Sequence, residues 1–354
     1  MTAALSLPAV IRPMIVSLFV LLVVAGCSKD ALTLAPRMTA QRVERTEVGC
    51  VDQDVDDESD GSATSGSVTE GGVALARTEV FEFGDYALFV PACVDAPRAL
   101  LVALGGPDTR AFVTDKAFGA PLPDVEAALH ELGREFRALA TRQGLAVMGT
   151  SRRSLPNGPA SDQLLGDAIR TAAELSGRPR LPIAPIVLYG MSGGAPEASG
   201  FVARSPERVA GLFLKVPFGV ASLTSGSALL VPTYMVQAEL DVFVNNAART
   251  ADFEANRRAG ALWALALERG VIHNSLSPAQ RLLTLTWMRS ILKRRLPSHP
   301  SDALREMSET AGWLGDRVTG ETWRWAAYPG DRGAASWLPS RATAKQFEDF
   351  LAVR

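Results

Sequence analysis

The feature that most constrains this chain is a series of short apolar runs set between amphipathic stretches, recurring from residue 73 onward: ALLVAL at 99–104, PIVLY at 185–189 and VPTYMVQ at 231–237. Such runs are too short for buried helices and lack strict polar alternation, so they read as strands covered on both faces. Weaker strand patterns fall at 78–90 (a strand or hairpin), 145–148 and 209–214. Helical spacing fills the intervals at 125–143, 162–176, 195–204, 247–268 and 278–295. Alternation of this kind predicts an α/β domain, a mainly parallel central sheet flanked by helices. One domain over 73–354 suffices, and no internal repeat is visible. A hydrophobic content of 47% is ample for a core of that size.

The first 72 residues follow a different logic. Arg12 precedes an apolar run over 14–25, long enough for a signal h-region but short of the roughly 20 residues that span a bilayer. The run ends in Val24-Ala25-Gly26-Cys27, which resembles the lipobox of bacterial lipoproteins. That resemblance implies a signal peptide over 1–26, acylation of Cys27, and a mature protein held to a membrane of the cell envelope by its N-terminal lipid. In a diderm cell this is the periplasmic or outer-membrane side. Residues 27–72 read as a flexible acidic linker, since 51–72 hold seven acids and no Lys or Arg. Export would leave Cys50 and Cys93 where disulfides persist, and a bridge between them would contribute up to about 4 kcal/mol by chain entropy.

Charge and composition exclude several partners. The formal net charge is −2; the first 72 residues hold ten of the 38 acids and five of the 36 bases, which leaves the folded portion formally +3. No basic block is present, so nucleic acid is not an expected partner. With three His, three Cys and no H-E-x-x-H or C-x-x-C, neither a metal nor another cofactor is expected.

The chemistry-bearing motif is Gly190-Met191-Ser192-Gly193-Gly194, directly after PIVLY and directly before the helical stretch at 195–204. A G-x-S-x-G string alone is weak, but strand–turn–helix context makes it specific. Such an elbow needs small residues so that strand and helix can close on each other and lift the serine out. A serine hydroxyl also needs a base. His130 lies mid-helix and His299 lies in a polar connection beside Pro300, both structural placements. His273 lies in a loop before a capped helix, which makes it the candidate base. A carboxylate must orient and balance the imidazole. Asp241, in the turn after VPTYMVQ and 32 residues before His273, is preferred over Glu239.

The order Ser192, Asp241, His273, carried by GMSGG, AELD and GVIH, resembles that of the α/β-hydrolase family. The similarity is greatest to bacterial esterases of the dienelactone-hydrolase and polyhydroxybutyrate-depolymerase type. It implies an eight-stranded type of sheet with the three residues on loops at strand C-termini, and attack of Ser192 on an ester carbonyl. The backbone amide of Gly193 would supply one oxyanion donor. The second should follow ALLVAL, where many relatives have His-Gly; here the chain has Gly105-Gly106-Pro107-Asp108, so Gly106 is the first choice and Asp108 the second.

The short Ser/Gly/Ala-rich connection between 215 and 231 leaves no room for a large lid. Phe218 is a candidate pocket wall and Phe213 is better suited to the core. The Trp-rich extension from about 308 reads as a terminal hairpin packed on the sheet. The leading expectation is a serine esterase acting on small or medium acyl esters through an acyl-enzyme. A serine peptidase on the same fold, or an inactive α/β-hydrolase-like binding lipoprotein, are the alternatives.

Overall fold

The expected buried strands form the middle of a nine-stranded sheet in the computed structural model, which describes residues 41–47, 76–118, 123–151, 158–299 and 302–352. The strands are β1 (Gln41–Glu47), β2 (Ala76–Phe83), β3 (Tyr86–Pro91), β4 (Leu100–Gly105), β5 (Ala146–Thr150), β6 (Ile186–Met191), β7 (Val209–Lys215), β8 (Thr233–Ala238) and β9 (Trp263–Glu268). Their order is β1-β2-β3-β5-β4-β6-β7-β8-β9. Pairing is antiparallel from β1 to β5 and parallel from there to β9. Helices flank the sheet and fill most of the crossovers between parallel strands, although β7 connects to β8 without one. The helices are α1 (Ala111–Thr114), α2 (Pro123–Gln143), α3 (Pro159–Ser176), α4 (Ala195–Arg204), α5 (Asn246–Arg258) and α6 (Pro278–Arg295). With β1 set aside, this is the α/β-hydrolase fold. The connection from Val216 to Pro232 holds one three-ten turn, Gly226–Leu230, and no inserted lid.

Side-chain alternation divides the core between the two sheet faces. Leu101, Val187, Tyr189, Phe213 and Tyr234 face α2 and α6, where Phe136 and Trp287 meet them. Tyr189, Phe213 and Tyr234 stack across three strands, with centroids 5.7 and 5.5 Å apart, and Trp287 stands edge-on to Phe213 at 6.0 Å. Leu100, Val102, Leu188 and Leu212 face the other way, against Leu165 and Ile169 of α3, Phe201 of α4 and Phe253 of α5.

Three segments differ from expectation. Residues 247–268, read as one helix, are α5 followed by the edge strand β9, with Gly260 at φ 89° between them. The run WALALE is composed largely of helix formers, but β8 offers an unpaired edge and β9 is buried throughout nearly all its length. Residues 41–47 fall inside the expected linker yet pair with β2 over their whole length. An open strand edge accepts any extended segment through its backbone, whatever that segment's apolar content. The terminal extension is larger than a hairpin: β10 (Trp313–Gly315), β11 (Thr322–Arg324) and β12 (Ser336–Leu338) form a small sheet, and α7 (Arg341–Ala352) packs after it.

That extension closes the β9 edge. Ser336 Oγ accepts from Leu265 N at 2.9 Å and donates to Leu265 O at 2.8 Å. The buried Arg257 guanidinium binds Ala261 O, Ala335 O, Arg332 O and Glu309 Oε1. Cys93 is disulfide-bonded. Its expected partner Cys50, the lipidation candidate Cys27, the signal segment and most of the linker lie outside the described residues. No described helix is long and apolar enough to cross a membrane.

Packing around β5 yields a test. A Cβ on Gly149 would overlap the Thr109 carbonyl, where Thr109 pins the loop after β4 to Thr150. Gly149→Ala is therefore expected to lower stability by about 1–3 kcal/mol, measured as a shift in the urea midpoint. An unchanged midpoint would mean that this loop does not press on β5.

Candidate active site

β6 emerges from the middle of the sheet, and its last residue, Met191, leads straight into Ser192 at φ 54°. A left-handed conformation is costly for a side-chain-bearing residue, so close packing must enforce it. Both flanking glycines show that packing. A Cβ on Gly190 would lie 2.9 Å from Ala198 Cβ and 3.0 Å from Ala195 Cα, and one on Gly194 would overlap the Leu104–Gly105 backbone. The start of α4 thus wedges between β6 and the end of β4, and Ser192 is the residue that turns the corner.

Ser192 Oγ lies 2.8 Å from His273 Nε2, across 81 residues of sequence. His273 Nδ1 lies 2.6 Å from Asp241 Oδ2, whose side chain is fully buried. The other oxygen, Asp241 Oδ1, accepts from Phe243 N at 2.8 Å and Val244 N at 3.1 Å, so both carboxylate oxygens are occupied. Glu239 has a different contact: its Oε2 accepts from Gly270 N at 2.8 Å. With Leu240 N donating to Val271 O at 2.9 Å, it clamps the loop after β8 to the loop after β9. His130 stays on α2, 3.1 Å from Glu126 and edge-on to Phe118, and His299 lies beyond the end of α6.

Burial pushes the His273 pKa down; Asp241 opposes this through its hydrogen bond and charge, and Lys215 reinforces it. A neutral ring that donates Nδ1–H to the carboxylate presents its Nε2 lone pair to the Ser192 O–H. The arrangement can accept the hydroxyl proton, and a carboxylate is in place to stabilise the imidazolium that results.

The loop after β4 runs beside the serine. A Cβ on Gly106 would sit 3.7 Å from Ser192 Oγ. Thr109 anchors the loop, donating from Oγ1 to Ala103 O at 2.7 Å and accepting from Thr150 N at 2.8 Å. The Asp108 amide already donates to Phe118 O at 3.4 Å, and the Asp108 carboxylate is engaged by Arg110. Gly193 directly follows Ser192 in the three-ten turn Ser192–Gly194. No group of His, Cys, Asp or Glu that could hold a metal ion occurs among the described residues.

Four contributors escaped the sequence reading. Lys215, at the end of β7 and 1% exposed, donates from Nζ to His273 O at 3.3 Å. Burial lowers its pKa to about 8, against the charges of Glu268 and Asp241. Burial raises Glu268, while a hydrogen bond to Ser277 and the Lys215 charge offset it. A signal was present: Lys closes the otherwise apolar run VAGLFLK, and a cation there needs a polar partner. Phe243 stands edge-on to His273 at 5.4 Å, next to Phe218, which the sequence had offered as a pocket wall and which lies over the ring at 5.4 Å and 24°. Phe218 is reached through Val216, a β-branched residue at φ 42°, and its amide donates to Ser192 O at 3.3 Å. Phe213 is wholly in the core, as expected. The fourth contributor is Thr109, for which the sequence carried no signal.

No protein-family model matches the chain, and no curated protein matches it. Solved structures do resemble it. An S-formylglutathione hydrolase from Agrobacterium tumefaciens is 16% identical over 62% of this chain and 91% of its own, with a TM-score of 0.40. A Pyrococcus furiosus esterase is 11% identical over 75% and 97%, also at 0.40. An alpha/beta hydrolase enzyme from a Medee basin deep-sea metagenome library is 14% identical over 59% and 93%, at 0.40. None of these likenesses says what this chain acts on.

The Lys215 contact makes the ionisation of His273 testable. Lys215→Met removes a positive charge that disfavours the imidazolium, so the His273 pKa should rise, read by imidazole NMR in a Ser192→Ala background. A fall, or no change, would mean that this ammonium does not act on the ring.

Proposed function

We propose that the chain is a serine hydrolase of carboxylic esters, acting on small or medium acyl groups and held in the cell envelope by a lipid on Cys27. The observation that carries the enzymatic reading is the unbroken row from Ser192 Oγ through His273 to Asp241, at 2.8 and 2.6 Å. The three residues come from three loops at the same edge of the sheet, following β6, β9 and β8. The strained Ser192 backbone and the lowered His273 pKa support the same reading.

In this mechanism His273 Nε2 takes the Ser192 proton as Oγ attacks the ester carbonyl carbon. The carbonyl oxygen becomes an oxyanion, received by the backbone N–H groups of Gly193 and Gly106, each worth about 3 kcal/mol where such donors act. Collapse of the intermediate breaks the bond to the alcohol oxygen, and His273 Nε2–H protonates the leaving alcohol. Water then attacks the acyl-serine, with His273 again accepting the proton, and collapse returns the Ser192 hydroxyl and releases the acid. Asp241 keeps the ring in the required tautomer and stabilises the imidazolium in both halves.

A fluorophosphonate probe followed by peptide mass mapping is expected to label Ser192. Ser192→Ala and His273→Ala should each reduce p-nitrophenyl butyrate turnover by about 10⁴-fold or more, with circular dichroism unchanged. Equal rates in wild type and Ser192→Ala would remove the enzymatic reading. The anchor has its own test: Cys27→Ser should move the protein from the membrane to the soluble fraction, and unchanged fractionation would contradict lipidation.

A further inference from the structure

Nine large hydrophobic side chains are exposed among the described residues, and they are not spread evenly. Leu175, Ile183, Leu282 and Val318 lie singly on α3, before β6, on α6 and in the terminal extension. Single exposed apolar residues are ordinary. The other five, Phe218, Leu240, Val242, Phe243 and Ile272, are 49, 53, 85, 64 and 46% exposed, and all lie on the three loops that follow β7, β8 and β9. Those loops surround the site: two carry Asp241 and His273, and the third donates from Phe218 N to Ser192 O. An apolar cluster of this kind marks a binding surface.

We propose that these five side chains form a rim that binds the hydrocarbon part of the substrate, an ester whose apolar chain leaves the carbonyl and lies across the loops. This rests on the hydrolase reading above and adds the substrate class. The rim is continuous with the reacting groups, because the rings of Phe218 and Phe243 both contact the His273 imidazole, face-on and edge-on at 5.4 Å. It is also preformed. Leu240 N bonds Val271 O at 2.9 Å, Phe243 N bonds Asp241 Oδ1 at 2.8 Å, and Arg249 Nη1 bonds Phe218 O at 3.1 Å, so the bonds that hold the site also hold the rim. Preorganised apolar surface binds without the entropy of ordering a loop. No lid lies between β7 and β8 to cover it. A second copy of the chain or a bilayer on these loops would lie over His273 and obstruct Ser192, which favours the substrate as the occupant.

An acetyl group is too short to reach the rim, whereas an octanoyl chain is long enough to lie along it. The test measures kcat/KM for p-nitrophenyl acetate and octanoate with the full-length chain in detergent. It compares wild type with Phe218→Ser, Phe243→Ser and Val242→Ser, and with Ile183→Ser before β6 as control. Wild type is expected to favour octanoate by about tenfold or more. The ratio should fall at least about threefold in the rim variants that remain folded by circular dichroism, and hold in Ile183→Ser. Acetate turnover with no preference for octanoate would overturn the rim and leave the hydrolase reading standing. No turnover of either ester, with no fluorophosphonate labelling, would remove the hydrolase reading and the rim with it. Rim variants that keep the ratio but convert a dimer to a monomer, or lose binding to phosphatidylcholine vesicles, would assign these residues to another occupant and overturn the proposal.

Discussion

The close approach of α4 to the end of β4 is the contact on which the site depends. At Gly194 the helix start presses on the Leu104–Gly105 backbone, and at Gly190 the strand touches Ala195 and Ala198. Between these two contacts the chain must reverse within a few residues, so Ser192 takes φ 54° at a cost of about 1–2 kcal/mol. Burial of Ala198, Phe201 and Val202 against the sheet offsets that cost. The same contact brings Gly106 alongside the Ser192 hydroxyl. One packing arrangement therefore sets the serine, its backbone strain and the neighbouring loop together.

A second constraint lies beneath His273. Ser192, Asp241 and His273 are surrounded by protein, and burial alone would drive the imidazole strongly toward its neutral form. Asp241 resists that drift and Lys215 favours it, so the proton affinity of the ring depends on two opposed buried charges. Lys215 is held in turn by Glu268 and by the His273 carbonyl. Replacing any one of these groups alters the electrostatic surroundings of the others, so their effects are expected to be strongly non-additive.

What could be read in advance was local. The buried runs in β4, β6 and β8 announce themselves by lacking charged residues, and GMSGG announces its turn by glycine spacing. The misreadings are places where local preference and tertiary context disagree. WALALE has helix-forming residues and became β9 because β8 had a free edge and both faces were covered. Gln41–Glu47 contains a single apolar residue and still pairs, because an open strand edge offers backbone groups to any extended segment. In both cases the deciding partner is distant in sequence.

The same division holds for the site. The sequence by itself determined the alternation of strand and helix, the elbow at Ser192, and the short set of histidines and acids from which a base and its partner can be drawn. These follow from side-chain periodicity and backbone sterics, which act over a few residues. Only the tertiary structure decided that Asp241 rather than Glu239 meets His273, that the Lys215 ammonium bonds the His273 carbonyl, and that five apolar side chains stay exposed on the loops after β7, β8 and β9. Those facts depend on distances between segments tens of residues apart, and such distances exist only once the sheet has assembled and the loops after β7, β8 and β9 are clamped to one another.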